Sequence, residues 1–357
     1  MALRVWRGPV EALRVRILRE INSTVHGADL HLERYDRPAG DPGLFGPRSV
    51  VWQVHGHPAG MLVGGFAALM LQSLHPVAMR AVADHSDFRT DPTGRLHRTA
   101  RFVATTTLGS TAAADEAVAA VRRIHVFVRG ETEDGRTYRA DDPELLRWVH
   151  TAEVACFLTG YQVFAGRSRL SDAECDRYFA EVARIGERLG ATGVPRSRAE
   201  VGAYFAVVRG ELGVTGPALE VVRLLRGFGR SRRERTAVRV LTNAAIGLLP
   251  GWARRELGIE RPWVVRRLWD RPVARLLGAV MVWACGLSPI RAAAEARAAN
   301  REGAAAGGGT AGDAAATATG EGVAGEGSVG HVATTAKGEG VAGEGSAGEA
   351  GKRIAGG

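Results

Sequence analysis

The sequence predicts an all-α protein with a single helical domain and a disordered C-terminal tail. Over residues 1–300 alanine, leucine and arginine dominate, and apolar residues recur at intervals of three and four rather than two. From residue 301 the composition changes to Gly, Ala, Thr and Glu, and the segment GEGVAGEGS occurs at 320–328 and again at 338–346. A repeat with so few large apolar side chains cannot bury enough surface to offset the entropy lost on ordering. We therefore divide the chain into a helical domain, 1–300, and a disordered tail, 301–357.

Start signals support several of the predicted helices. Pro143 follows Asp142 and suits a first helical position, and the segment 171–174, Ser-Asp-Ala-Glu, is a capping box. Strands are expected only in the polar link 130–141, where Asp134-Gly135 could form a hairpin turn. The predicted helices are 8–22, 59–73, 75–85, 93–105, 111–129, 142–165, 172–190, 197–211, 216–228, 234–247, 251–257, 263–268, 271–286 and 288–300.

The formal net charge of +9 raises the question of an anionic partner. Arginine supplies nearly all of the positive charge, with a denser segment, RLLRGFGRSRRERTAVR, at 223–239. Its one aromatic residue, Phe228, does not provide the series of stacking side chains that single-strand nucleic-acid binders use. We expect no nucleic-acid partner, and instead a solvated basic face or peripheral contact with an anionic membrane.

Targeting and redox signals favour a cytoplasmic protein. The N-terminal segment has no sustained apolar core of the signal-peptide type. The apolar stretches 58–74 and 276–287 fall short of the roughly 18–20 residues that a membrane span requires. The three cysteines, Cys156, Cys175 and Cys285, have no metal-type spacing and are expected to be reduced thiols.

A histidine interrupts the apolar run AVRRIHVFVRG at 120–130. In a helix, Val118, Val121, His125 and Val128 share one face, so His125 is expected to point inward. One interpretation is a core histidine that is hydrogen-bonded to a carbonyl group. The other is a neutral imidazole in a dry, valine-lined cavity, which suits the axial ligand of an iron porphyrin.

A second candidate pair lies in the predicted helix 93–105. Arg95 and Thr99 are four residues apart and therefore share a helical face. A guanidinium can pair with a carboxylate of a ligand, such as a haem propionate, and a threonine hydroxyl can hydrogen-bond beside it. An ordinary exposed arginine, with a threonine that bonds back to its own helix, would give the same pattern.

Other histidines could bind metal. His55 and His57 have the alternate spacing that could chelate a metal from an extended segment, although loop histidines are more often solvated. His150 and Glu153 are three apart, but the di-iron carboxylate motif has the reverse order and needs a second copy, which the sequence lacks.

Two segments in a fixed order resemble a known family. They are HPVAMRAVADHSDFRTDPTGRLHRTARFV and RRIHVFVRGETEDGRTYRADDPELLRWVHTAEVACFLTGYQVF, within residues 75–164. They look like the catalytic domain of the rubber-oxygenase (latex clearing protein) and MpaB-type oxygenase family, and the similarity extends over about 40–285. The resemblance implies an all-α bundle with a globin-like core around haem b, and dioxygen as co-substrate.

The resemblance also assigns residues one at a time. His125 matches the proximal histidine that ligates the haem iron, and Arg95 and Thr99 match the Arg-x-x-x-Thr pair beside the haem. Where rubber oxygenases have a lysine that can cap the iron, this sequence has Arg98, which stays protonated and has no lone pair to offer. A distal carboxylate base has no match; three aspartates are only near the expected place: Asp84, Asp87 and Asp91.

The expected function is a haem b-dependent oxygenase that acts on a small apolar, unsaturated substrate. Arg95 would hold a propionate or polarise bound oxygen, Thr99 would donate a hydrogen bond, and Arg98 would modulate the distal charge. One alternative is a haem-binding or apolar-ligand-binding protein without turnover, a sensor or carrier. Another is a cofactor-free helical scaffold whose basic segment docks on an anionic membrane.

Overall fold

The computed structural model describes residues 7–25, 32–229, 231–286 and 288–307, and this part of the chain is mainly helical, as the sequence predicts. The α-helices are α1 Arg7–Val25, α2 Glu33–Asp36, α3 Val50–His55, α4 Pro58–Gln72, α5 Pro76–His85, α6 Pro92–Leu108, α7 Thr111–Phe127, α8 Pro143–Phe164, α9 Asp172–Leu189, α10 Arg198–Val208, α11 Gly216–Gly227, α12 Arg232–Leu248, α13 Gly251–Glu256, α14 Trp263–Val265, α15 Arg271–Cys285 and α16 Pro289–Gly307.

The predicted hairpin is present. Strands β1, Arg129–Glu131, and β2, Thr137–Arg139, pair antiparallel, with Arg129 opposite Arg139. Gly135 has a φ of 80°, a conformation that glycine adopts without steric cost. The predicted hairpin turn at Asp134-Gly135 is therefore confirmed.

Several helix bounds differ from the prediction for local reasons. Helices α2 and α3 were not expected, because each is too short to show a helical period. The helix predicted over 111–129 ends at Phe127, where the chain turns into the hairpin. The helix predicted over 263–268 becomes a π-helical turn at Arg266–Asp270 that continues directly into α15.

The predicted tail can be compared only in part. Helix α16 runs to Gly307, beyond the domain end expected at residue 300. Residues 308–357 lie outside the described residues.

The helix pair α4–α8 forms the centre of the domain and crosses at close range. A Cβ atom on Gly64 would lie 2.9 Å from the carbonyl oxygen of Cys156, and a Cβ atom on Gly160 would overlap the carbonyl oxygen of Gly60. Only glycine lets the two backbones approach this closely. The crossing fixes which residues of α8 face the interior on the α4 side.

Two sequence expectations can be compared with the described part of the chain. The cysteines Cys156, Cys175 and Cys285 are free and buried, as predicted. No single described helix is long and apolar enough to cross a membrane, but two bent helix pairs satisfy the length and composition criteria together: Pro58–Gln72 with Pro76–His85, and Trp263–Cys285 with Pro289–Ala299.

Candidate functional site

A cavity of about 360 Å³ lies among the helices of the domain, within the size range of small-molecule sites. Six helices each contribute an apolar side chain to its wall: Phe66 from α4, Met79 from α5, Val103 from α6, Phe157 from α8, Leu224 from α11 and Met281 from α15. An apolar wall of this kind binds apolar ligands and excludes water.

Glu153 is the acidic side chain on this wall. It lies on α8 between Val149 and Phe157, which are one turn away on either side and also line the cavity. Its carboxyl group makes no hydrogen bond or ion pair with another described residue. Burial raises the pKa of Glu153 to about 7, because an apolar environment disfavours the ionised form. Near neutral pH this side chain can therefore hold or release a proton inside the cavity.

Two of the other polar side chains on the wall have partners. Gln72 donates from Nε2 to the carbonyl oxygen of Val149 at 2.9 Å, and Arg291 pairs with Glu295 at 2.8 Å. Since buried polar groups usually have partners, the carboxyl group of Glu153, which has none among the described residues, is a candidate functional group.

His55 lines the same cavity as Glu153 and is the middle member of a hydrogen-bonded chain. Its Nδ1 lies 2.7 Å from the hydroxyl oxygen of Thr107, and its Nε2 lies 2.9 Å from that of Tyr178. Burial lowers the pKa of His55 to about 3, so the ring is neutral and one nitrogen donates while the other accepts. Burial, and to a smaller degree the charge of Glu153, raises the pKa of Tyr178. This phenol therefore stays protonated.

His55 and His57 are neither solvated loop residues, as the sequence favours, nor a chelating pair on an extended segment, the alternative. His55 ends α3, and His57 caps α4 by accepting from the backbone N–H of Gly60 at 3.0 Å. Both imidazole rings therefore make hydrogen bonds within the fold. No group of three or more metal-ligating side chains occurs among the described residues.

Arg95 and Thr99 both line the cavity from α6, as their four-residue spacing predicts. Thr99 is also exposed, so it lies at the rim. The guanidinium of Arg95 donates to the hydroxyl of Ser86 and has no carboxylate partner among the described residues. Burial, and to a smaller degree the charge of Arg98, lowers the pKa of Arg95.

Arg98 points away from the cavity wall. Its side chain is exposed and lies 3.6 Å from the carboxylate of Asp91. Its influence on the site is therefore electrostatic and acts through Arg95.

His125 lies in the last turn of α7 and is half-buried, but it is not part of the cavity wall. Its Nδ1 is enclosed and has no hydrogen-bond partner among the described residues. Burial lowers the pKa of His125, partly offset by the charge of Asp141, so the imidazole is neutral at pH 7. Its assignment as an iron ligand stays a prediction.

The C-terminal end of α5 brings Arg95 and the end of α7 near each other. Arg95 donates to Ser86, which follows α5 directly. One residue earlier, the Nε2 atom of His85 lies 3.1 Å from the carbonyl oxygen of Arg129, four residues beyond His125. Two predicted site segments that are distant in sequence therefore contact the same helix end.

The three aspartates considered as a distal base have structural contacts and do not line the cavity. Asp84 accepts from Arg80 at 2.8 Å and from Tyr138 at 2.7 Å. Asp91 caps α6 by accepting from the backbone N–H of Gly94 at 2.8 Å, and Asp87 is exposed. Glu153, unlike these three aspartates, does line the cavity.

The fold and the site define a class: an all-α protein with an apolar cavity whose wall carries an acid, Glu153, and a guanidinium, Arg95, neither of which has an ion-pair partner among the described residues. The family described as ER-bound oxygenase mpaB/B'/Rubber oxygenase, catalytic domain, matches residues 52–283. The chain belongs to this family, as the resemblance over 75–164 predicted. No curated protein and no solved structure matches the chain significantly.

Proposed function

We propose that the protein is a haem b-dependent oxygenase that uses dioxygen to oxidise a small apolar, unsaturated substrate. The observation that carries the proposal is an apolar cavity with an unpaired carboxyl group, Glu153, in a chain that belongs to a family of oxygenase catalytic domains. Apolar walls select the substrate class, and the family supplies the reaction type.

The donor set fits haem b. A histidine that ligates haem iron has to be a neutral imidazole with a free lone pair. His125 is neutral and makes no side-chain hydrogen bond with a described residue. A propionate needs a cation that is not already paired, and Arg95 meets this requirement. His125 would hold the iron, Arg95 would pair with a propionate, and Thr99 would donate a hydrogen bond.

Activation of dioxygen is the chemistry that haem supplies when it is bound. Oxidative cleavage of a C=C bond would place one oxygen atom on each carbon atom, so this reaction consumes no external reductant. The proposed contribution of the protein is the ligand, a dry cavity and the control of protons.

Glu153 is proposed to handle the proton. Its carboxyl group lies on the cavity wall and has no partner among the described residues, so an oxygen or C–H group of a bound substrate is its available partner. A pKa near 7 lets the carboxyl group act as an acid or a base at neutral pH. The ring of His55 and the phenol of Tyr178 are neutral, so neither supplies a countercharge to the carboxylate.

The test is the absorbance of the purified protein after haem supplementation. We expect a Soret band that shifts or disappears in His125→Ala and is unchanged in His97→Ala, a histidine on α6 that shares no face with Arg95. No band in the parent protein, or the same band in both variants, contradicts the assignment. Oxygen consumption with unsaturated lipids and terpenoids then separates an oxygenase from a haem carrier, which would bind haem but consume no oxygen.

A further inference from the structure

The helical run 263–285, formed by α14, the π-helical turn and α15, has its bulky apolar side chains on the outside. Leu268, Trp269 and Leu276 are 69%, 66% and 68% exposed, and Trp263 and Trp283 are also exposed. Trp269, Leu276 and Trp283 are spaced by seven residues, which places them on one side of a helix. We call this surface the outer face.

The inner face of the same run consists mainly of small residues. Ala274, Gly278, Ala284 and Cys285 are buried, together with one long side chain, Met281. A Cβ atom on Gly278 would lie 2.6 Å from the ring of Phe164. A surface helix of a globular protein normally shows the opposite pattern, with large apolar residues inward and polar residues outward. The inversion means that the outer face is matched to an apolar environment.

The charges along this run indicate whether the outer face contacts a second copy of the chain or a lipid bilayer. Arg267, Arg271 and Arg275 are exposed and four residues apart, so they form a row beside the apolar side chains. The acidic residue of the run, Asp270, is buried and lies 3.0 Å from Arg261. A second copy of the chain packed on this face would bring a second row of arginines into the interface and no exposed acid from this run, whereas anionic lipid headgroups complement the arginines.

We propose that the outer face docks on an anionic lipid bilayer, with its tryptophan and leucine side chains at the boundary between headgroups and acyl chains. Tryptophan favours this boundary because its ring is amphipathic, and arginine side chains reach from it to the phosphates. The surface differs from the basic segment 223–239, and the inference does not depend on the proposed oxidation.

The experiment is co-sedimentation of the full chain with vesicles of phosphatidylcholine alone and of phosphatidylcholine mixed with phosphatidylserine. We expect the parent protein to bind the mixed vesicles, and Leu268→Ser/Trp269→Ser/Leu276→Ser to bind them about tenfold or more weakly. The matched control, Phe127→Ser/Val207→Ser, changes exposed apolar residues elsewhere and should bind like the parent.

Charge is tested by an equal change on two surfaces. Arg267→Gln/Arg271→Gln/Arg275→Gln should weaken binding about tenfold or more, because each arginine near the membrane surface contributes to attraction. The control, Arg226→Gln/Arg232→Gln/Arg239→Gln, removes the same charge from the basic segment and should have a much smaller effect. The reverse order of effects would move the docking surface to 223–239 and overturn the proposal.

A measurement of tryptophan fluorescence in the parent protein tests the docking without requiring that any variant folds. Among the tryptophans of the described residues, Trp52 and Trp148 are fully buried and Trp252 is partly buried against the core, so lipids brominated in the acyl chain should quench mainly Trp263, Trp269 and Trp283. Absence of quenching or of binding to the mixed vesicles overturns the proposal. So does a parent protein that is dimeric by gel filtration, becomes monomeric in the Leu268/Trp269/Leu276 variant and does not bind vesicles, because the face would then belong to a second copy.

Discussion

Glu153 on α8 and Arg95 on α6 line the same cavity, yet the two side chains do not form an ion pair with each other. Burial raises the pKa of the acid and lowers the pKa of the guanidinium, so each ionised form is destabilised by its environment. A direct ion pair would reduce both costs. Their separation keeps a proton-exchanging group and a fixed positive charge available to different parts of a bound molecule.

Substitution of Glu153 by Gln should remove proton transfer while keeping the size of the side chain. We expect turnover in a substrate assay to fall about a hundredfold, the magnitude typical of a lost acid or base. The Michaelis constant should change little, because the apolar wall is retained. A variant that retains full turnover would show that Glu153 has no part in the reaction.

The same substitution should change the pH dependence of stability. Below pH 4.5 the carboxyl is protonated in both folded and unfolded protein, and above about pH 7 it is ionised in both, with the folded state bearing the cost of the buried charge. Stability of the parent relative to Glu153→Gln therefore falls as the pH rises from 4.5 to 7. Urea denaturation at pH 8 should show the variant more stable by up to about 3 kcal/mol, with no difference at pH 4.

Arg95→Leu should weaken haem binding by about tenfold to a hundredfold. The reason is the loss of a charge-assisted hydrogen bond to a propionate, which contributes about 1.5–3 kcal/mol. Arg98→Leu is the matched control, because Arg98 is exposed and does not line the cavity. Titration of the haem-free protein gives both dissociation constants, and equal effects in the two variants would mean that only net charge matters.

Gly64→Ala should destabilise the domain by about 1–3 kcal/mol, because the added methyl group meets the backbone of α8 at Cys156 and Phe157. The adjacent Gly65→Ala is the control. Its Cβ atom would lie 3.8 Å from the ring of Phe157, an ordinary contact, so better helix propensity should leave stability equal or higher. Thermal unfolding of the two variants checks this order.

Tyr178→Phe should cost about 1–3 kcal/mol of unfolding free energy, because it leaves the Nε2 atom of His55 buried without its partner. The cost should nearly vanish when His55 is already Leu, since there is then no nitrogen to leave unpaired. A double-mutant cycle by urea denaturation gives this coupling directly. Additive effects would show that the hydrogen bond contributes nothing.

The sequence predicted most of the helices because their local signals are strong. The capping box at Ser171 and Glu174 forms as expected, and Asp142 caps α8 with Pro143 in its first turn. The π-helical turn before α15 has no comparable local signal, because it depends on how the run packs on the rest of the domain.

The candidate site was predictable only in part. Arg95 and Thr99 emerged from a four-residue spacing that is local to one helix. Glu153 was considered only as a partner of His150 in a di-iron motif, because nothing in its own neighbourhood shows that α8 faces a cavity there. That property depends on the glycine contacts between α4 and α8 and on side chains from four other helices.

Helix α15 has one side on the cavity, through Met281 and Cys285, and the other side on the outer face, through Leu276 and Trp283. A helix is about 10 Å across. With a bilayer against its outside, a water-insoluble hydrocarbon would have to travel about that thickness to reach the cavity. The rate at which substrate enters the cavity would then depend on its concentration in the lipid. Adding empty vesicles should therefore dilute the substrate and slow the reaction.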